Sequence, residues 1–241
     1  IVGPTGGGKA RLATAVARAC GADLISCDSM KVYRELQIGT AKPPLEDRGG
    51  VRWHGLDLRS PWESFSAKDF RTLFDTVREE AARAGRPVLL SGGTMLYLKA
   101  ATEGLGDVPP RDAAIRDRLC AEADEGGSHA LHERLAGLDP ATAEKVHPND
   151  LRRIVRGLEV HELTGRPLSS FHGQFGSVRE GIDLKVFVVQ RERADMDQRI
   201  NTRVDRMLAE GWIEECRRLK ANAKGLSKEA GQAIGYRQIF E

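Results

Sequence analysis

The feature that most constrains this 241-residue chain stands at its start. Ile1-Val2 runs straight into GPTGGGKARLA (3–13), in which Gly3, Gly8 and Lys9 keep the G-x-x-x-x-G-K spacing of a phosphate-binding loop. Such a loop needs a buried strand leading in and a helix leading out. Ile1-Val2 is the stump of that strand, and Leu12, Ala13, Val16 and Ala17 recur at helical spacing between Ala10 and Cys20. Successive backbone N–H groups then turn inward around an anion, the helix N-terminus adds positive potential, and Lys9 supplies a point charge. The expected phosphate-binding stretch is Gly3, Pro4, Thr5, Gly6, Gly7, Gly8, Lys9 and Ala10. One position departs from the pattern. The Ser or Thr that normally follows the lysine and offers magnesium a hydroxyl is Ala10.

The rest of the chain continues the strand–helix alternation. DLISC (23–27) reads as a second strand ending at Asp28. Ser66-x-x-Asp69 has the form of a capping box, opening a helix to about Ala84 that Gly85 stops. PVLLS (87–91) reads as a third strand, followed by Gly92-Gly93-Thr94 and a helix from about Met95. This order predicts an α/β fold: a mostly parallel sheet, like that of P-loop kinases, with helices on both faces. The pattern changes at Pro109-Pro110. From about Val108 to Ser177 the stretches are helical and charged, with Asn149 as an expected N-cap and Gly165 then Pro167 as a stop. LKVFVVQ (184–190) returns to strand character, and helices follow. The expected organisation is a core over 1–107 and 178–241, interrupted by a helical insert over 108–177.

Composition narrows the function classes. Hydrophobic residues make up 40% and charged residues 30%, ordinary for a globular protein. No apolar run approaches the ~18 residues that would span a bilayer. No secretory signal is legible, and the loop lies so near the first residue that trimmed upstream sequence is expected. Cys20, Cys27, Cys120 and Cys216 show no paired spacing, so free thiols and a cytoplasmic setting are expected. A net charge of +2 means that a polyanion must be held by local clusters rather than by a global field. His129 and His132 read as surface residues rather than metal ligands.

A triphosphate-hydrolysing enzyme wants a hydroxyl on magnesium and a later strand ending in Asp. Here the later strand ends SGGT, and the acid is Asp28, at the carboxyl end of the second strand, where such folds bind ligands. Asp28 can serve a second substrate there, or cap the next turn through its side chain. Thr94 can likewise be a helix N-cap.

Four separated blocks resemble one family: DSMKVYRELQIGTAKP (28–43), SGGTMLYLKA (91–100), LDPATAEKVHPNDLRRIVRGLEVHELTGRPLS (138–169) and AIGYRQ (233–238). Together they resemble the tRNA dimethylallyltransferases, also called tRNA isopentenyltransferases. The resemblance implies transfer of a prenyl group from dimethylallyl diphosphate to the exocyclic amine of adenine at tRNA position 37, beside the anticodon. It implies that the loop holds a diphosphate leaving group, with magnesium. Asp28 matches the family's general base, Thr94 a residue at the target nucleotide, and Arg203 an arginine near the diphosphate. Arg199, Arg203 and Arg206 would form one basic stripe. Asp28, Ser29, Met30 and Lys31 match a tRNA-contacting segment, as do Arg152, Arg153, Ile154, Val155 and Arg156, and also Arg116. The insert is thereby expected to clamp the anticodon stem, in a monomer with no membrane contact. The usual family hydroxyl after Lys9 is absent, and Thr5 is the loop's alternative. Relatives continue past the GYRQ block with basic helical sequence. A small-molecule P-loop kinase, a free-nucleotide isopentenyltransferase and an RNA-binding protein with a decayed loop remain alternatives.

Overall fold

The computed structural model describes residues 1–106, 108–174 and 177–240. The chain divides into two compact units, one of Ile1–Thr102 with Glu180–Glu241 and one of Glu103–Arg179.

The first unit is built on a parallel sheet in which β1 (Asp23–Cys27) lies between β2 (Trp53–His54) and β3 (Val88–Gly92). All five β1 residues are buried, as a strand covered on both faces requires. Ile1-Val2 extends the sheet. The Ile1 amine donates to the Leu90 carbonyl at 2.7 Å and the Ile1 carbonyl accepts from Gly92 N at 3.3 Å. On its other side Val2 donates to Phe187 O at 2.9 Å and accepts from Val189 N at 2.8 Å. The glycine loop therefore leaves from inside the sheet. The stretch expected as a strand at 184–190 contributes a single parallel bridge, Val2 to Val188.

Helix α1 (Lys9–Cys20) buries Ala13, Thr14 and Ala17. Helix α2 (Ala67–Arg83) starts at the capping box expected at Ser66 and Asp69 and buries Phe70, Phe74, Val77 and Ala81 along one stripe. Helix α3 (Met95–Thr102) follows β3, and Tyr97 stacks on Phe70 at 4.5 Å between ring centroids.

In the second unit, α4 (Ala113–Gly126), α5 (Ser128–Leu138), α6 (Pro140–Ala143) and α7 (Leu151–Thr164) close around Leu119, Leu131, Leu135, Ile154 and Leu158. A Cβ on Gly157 would lie 2.6 Å from Leu135 Cδ1, so α5 and α7 pack closely there and a larger residue would have to displace the Leu135 side chain. The N-cap of α7 is Asp150 rather than Asn149. The Asp150 carboxylate accepts Arg153 N at 3.2 Å, while the Asn149 N–H is taken by His147 Nδ1 at 3.1 Å. No β-strand forms among the described residues of this unit.

Back in the first unit, α8 (Arg193–Ala209), α9 (Trp212–Lys220) and α10 (Tyr236–Phe240) complete the chain. Met207, Trp212, Cys216, Leu219 and Tyr236 join the same core as Tyr33, Phe70 and Tyr97.

Candidate active site

The glycines shape the loop at two points. Gly3 has φ +148°, and a Cβ there would sit 2.6 Å from Val189 O, so only glycine lets the loop rise past the neighbouring chain. Gly8, at φ 85°, turns the chain into α1, whose first turn carries no acid and whose cap offers no competing side chain. The first amides of α1 are thus left to an anion. The Lys9 ammonium donates to Pro4 O at 2.6 Å and so lies over the loop itself. Ala10 brings no oxygen from its side chain, and its carbonyl accepts the Thr14 hydroxyl at 2.9 Å. Thr5 is exposed in the loop.

The loop forms one side of a cleft of about 1320 Å³, whose lining also includes Asp28, Lys31, Thr40, Ala41 and Arg203. Asp28 serves the turn after β1, one of the two roles its position allowed: its Oδ1 accepts Met30 N at 3.0 Å and Lys31 N at 3.4 Å. It also faces three cations. Burial holds Lys9, Lys31 and Arg203 each below the ordinary range, and in every case the Asp28 charge counteracts that loss. The cations also press on one another, since Arg203 lowers both lysines and Lys9 lowers Lys31. One carboxylate among three cations leaves an excess of positive charge, which suits a multiply charged anion.

The stripe expected on α8 separates into different roles. Arg199 pairs with Asp195 at 2.8 Å and Arg206 with Glu210 at 3.4 Å. Arg203, between them, makes no ion pair among the described residues and answers to Asp28. Arg191 is a residue that sequence reasoning missed. Its Nε donates to Gly7 O at 3.2 Å and its Nη1 pairs with Asp195 at 3.0 Å, so it braces the loop from the start of α8. The available signal was its place between a strand-like run and a helix that carries arginines.

Thr94 does not cap its own helix with its side chain. Its hydroxyl accepts Ser29 N at 3.0 Å, and its backbone N–H donates to Cys27 O at 3.1 Å. It therefore ties the start of α3 to the end of β1 and holds Ser29 beside Asp28. Met30 packs against the core. Burial pushes the Cys27 thiol up to about 12, which leaves it protonated and unreactive beside the site.

The second unit sorts the residues expected to touch tRNA. Ile154 and Val155 are buried at 0% and 1% exposure, so their side chains serve the core and are withdrawn as contacts. Arg116 and Arg156 turn inward to Glu159, itself fully buried, at 3.1 and 2.7 Å, and Arg156 also donates to Pro109 O at 2.7 Å. Together they neutralise a carboxylate that burial would otherwise destabilise. Arg152 and Arg153 are exposed, and Arg153 pairs with Asp150 at 3.2 Å.

As for a metal, the described residues hold no group of three or more His, Cys, Asp or Glu that could ligate one. With Ala10 in place of a hydroxyl, the loop builds no metal cage of its own.

Comparison with known proteins places the chain in a family. The family model described as IPP transferase matches residues 31–241. A tRNA dimethylallyltransferase of Stenotrophomonas maltophilia (strain R551-3) is 40% identical over 100% of this chain and 78% of its own length. One of Geobacter sulfurreducens is 43% identical over 99% of this chain and 77% of its own. Among solved structures, the full-length tRNA isopentenylpyrophosphate transferase of Bacillus halodurans superposes with a TM-score of 0.66 at 37% identity, over 99% of this chain and 74% of that one. A eukaryotic dimethylallyltransferase acting on tRNA gives 0.74 at 27% identity, over 91% and 54%. With its parallel sheet, its glycine loop and these likenesses along nearly its whole length, the chain belongs to the tRNA dimethylallyltransferase family.

Proposed function

We propose that this enzyme transfers a dimethylallyl group from dimethylallyl diphosphate to the exocyclic amine of adenine at tRNA position 37. The observation that carries the reading is one carboxylate, Asp28, set among Lys9, Lys31 and Arg203 in the cleft beside the glycine loop. The diphosphate lies on the loop amides. As the allylic C–O bond breaks, its electron pair leaves on the diphosphate oxygen, where the three cations stabilise it. The adenine nitrogen forms the new bond to the allylic carbon, and its proton passes to Asp28. An aryl amine is a poor nucleophile, so a carboxylate aimed at its N–H both orients it and removes the developing charge. Thr94 contacts the target nucleotide and keeps Ser29 and Asp28 in register.

Magnesium, when bound, neutralises diphosphate charge. It would be held by diphosphate oxygens and water, with the Thr5 hydroxyl as the chain's contribution. The target base must leave its stack to reach the cleft, at a cost on the order of a few kcal/mol. Binding of the anticodon stem-loop by the exposed Arg152 and Arg153 offsets that cost. The enzyme acts as a monomer in the cytoplasm, a compartment in which its four unpaired cysteines stay reduced. No described helix is long and apolar enough to cross a membrane.

The test is to incubate the protein with unmodified tRNA and dimethylallyl diphosphate and digest the tRNA to nucleosides. A prenyl mass on adenosine is expected, and it should vanish when position 37 is guanine. Transfer of a phosphoryl group from ATP, with no prenyl adenosine, would instead favour the kinase reading.

A further inference from the structure

The cleft has a wall beyond the glycine loop, the turn after β1 and α8. Thr40 and Ala41 line it, at the end of a tight turn over 37–41. Ala41 N donates to Ile38 O at 2.8 Å and Lys42 N to Gln37 O at 3.2 Å, closing the turn. Ala41 has φ +45°, in the left-handed region that disfavours a residue with a side chain. Such a conformation persists only where its surroundings over-determine it.

Those surroundings come from the C-terminal helices. The Glu215 carboxylate on α9, only 3% exposed, accepts three consecutive backbone N–H groups of this turn. Gln37 N lies at 3.2 Å, Ile38 N at 3.0 Å and Gly39 N at 3.4 Å. The Tyr236 hydroxyl donates to the same carboxylate and accepts Gly39 N at 3.1 Å. Gly39 has no Cβ because one would lie 2.1 Å from Trp212 Nε1 and 2.5 Å from Tyr236 Cε2. A buried carboxylate is expensive to desolvate, and here its acceptors are satisfied almost wholly by one turn of backbone.

We propose that Glu215 is a positioning residue for the reaction: by gripping the amides of Gln37, Ile38 and Gly39 it fixes the wall at Thr40 and Ala41 against which the prenyl donor binds. The inference rests on the proposed prenyl transfer. Glu215 touches no substrate and acts through the turn. Without its charge the turn relaxes the left-handed Ala41, the wall shifts, and the donor is held less tightly in ground and transition states alike.

Glu215→Gln keeps the shape while replacing an all-acceptor group with one that presents a donor to the amides. The Michaelis constant for dimethylallyl diphosphate should rise roughly tenfold, with kcat changed less than about threefold and tRNA affinity unmoved. Hydrogen exchange at 37–39 should quicken in the same variant. Adding Ala41→Gly should recover much of the donor constant, because glycine holds a positive φ without strain. If Glu215→Gln does not fold, Tyr236→Phe should move the donor constant the same way by a smaller factor, since it removes one of the carboxylate's donors. An unchanged donor constant with unchanged exchange at 37–39 would overturn the proposal. So would a loss of thermal stability and kcat together that Ala41→Gly does not relieve. A wild-type protein that transfers no prenyl group would refute the proposed reaction instead. The exchange measurement, and the affinity of each variant for inorganic pyrophosphate, would still decide the role of Glu215.

Discussion

At Ala10 the loop presents a methyl group where a hydroxyl would point at magnesium, yet the charge around it remains high. Lys9, Lys31 and Arg203 are each offset by the Asp28 carboxylate, so in the proposed reaction much of the work of holding the diphosphate falls on fixed cations. A working enzyme with an unusual appetite for magnesium is therefore expected. Ala10→Thr should lower the magnesium concentration giving half-maximal transfer by roughly threefold to tenfold, as about 1 kcal/mol from one added ligand would. The half-saturating tRNA concentration should stay constant, and calorimetry should show pyrophosphate binding gaining the same magnesium dependence. A variant whose magnesium requirement equals that of the natural chain would mean that position 10 does not face the metal.

Helix α7 shows how one element divides its arginines between two tasks. Arg156 faces Glu159 at i+3 and, with Arg116, neutralises a carboxylate that solvent does not reach. Arg156→Ala should cost stability, on the order of 1–3 kcal/mol, read as a lower midpoint in thermal or urea unfolding. Arg152→Ala with Arg153→Ala should leave unfolding nearly unchanged and weaken tRNA binding. The slope of log K against log salt should shrink by roughly 0.7–0.9 for each phosphate that the variant no longer neutralises. If the slope stays put, these exposed arginines do not bind phosphates. The sequence made the helix itself plain, through its apolar spacing and the Gly165 stop, but not this division. RRIVR reads as a uniformly basic run, and only burial reveals that Ile154 and Val155 are core and that Glu159 claims one arginine. The cap moved by one residue because Asn149 and Asp150 are both good capping residues, and the local fold of 147–150 chose between them.

Across the whole first unit, the cleft joins segments that lie far apart in the chain: the loop at 3–10, the turn after β1, and α8. The loop was legible because its chemistry is local, with glycine spacing, strand and helix all within one short stretch. Asp28 was legible by its place at the end of a strand. Lys31 as a member of the cation group, Arg191 on the loop and Glu215 behind the Gln37 turn were not. Each of these depends on a contact that periodicity does not encode: Glu215 reaches amides 176 to 178 residues away. Sheet topology was partly hidden for the same reason, since β2 is only two residues long and the run at 184–190 makes only one bridge, Val2 to Val188.

At the scale of the whole molecule the proposed reaction gives the cleft two tasks, cations for the leaving diphosphate and Asp28 for the proton of the attacking amine. Asp28→Asn tests that separation most directly, because the amide oxygen can still accept Met30 N and Lys31 N while the proton acceptor is gone. Prenyl transfer to tRNA should fall by roughly 10²–10⁴ under single-turnover conditions. Inorganic pyrophosphate should bind the variant at least as tightly as the natural protein, since the carboxylate that offsets the three cations is gone, and tRNA affinity should hold. Transfer at near the natural rate, or a fall in rate matched by an equal fall in pyrophosphate affinity, would contradict this division of tasks.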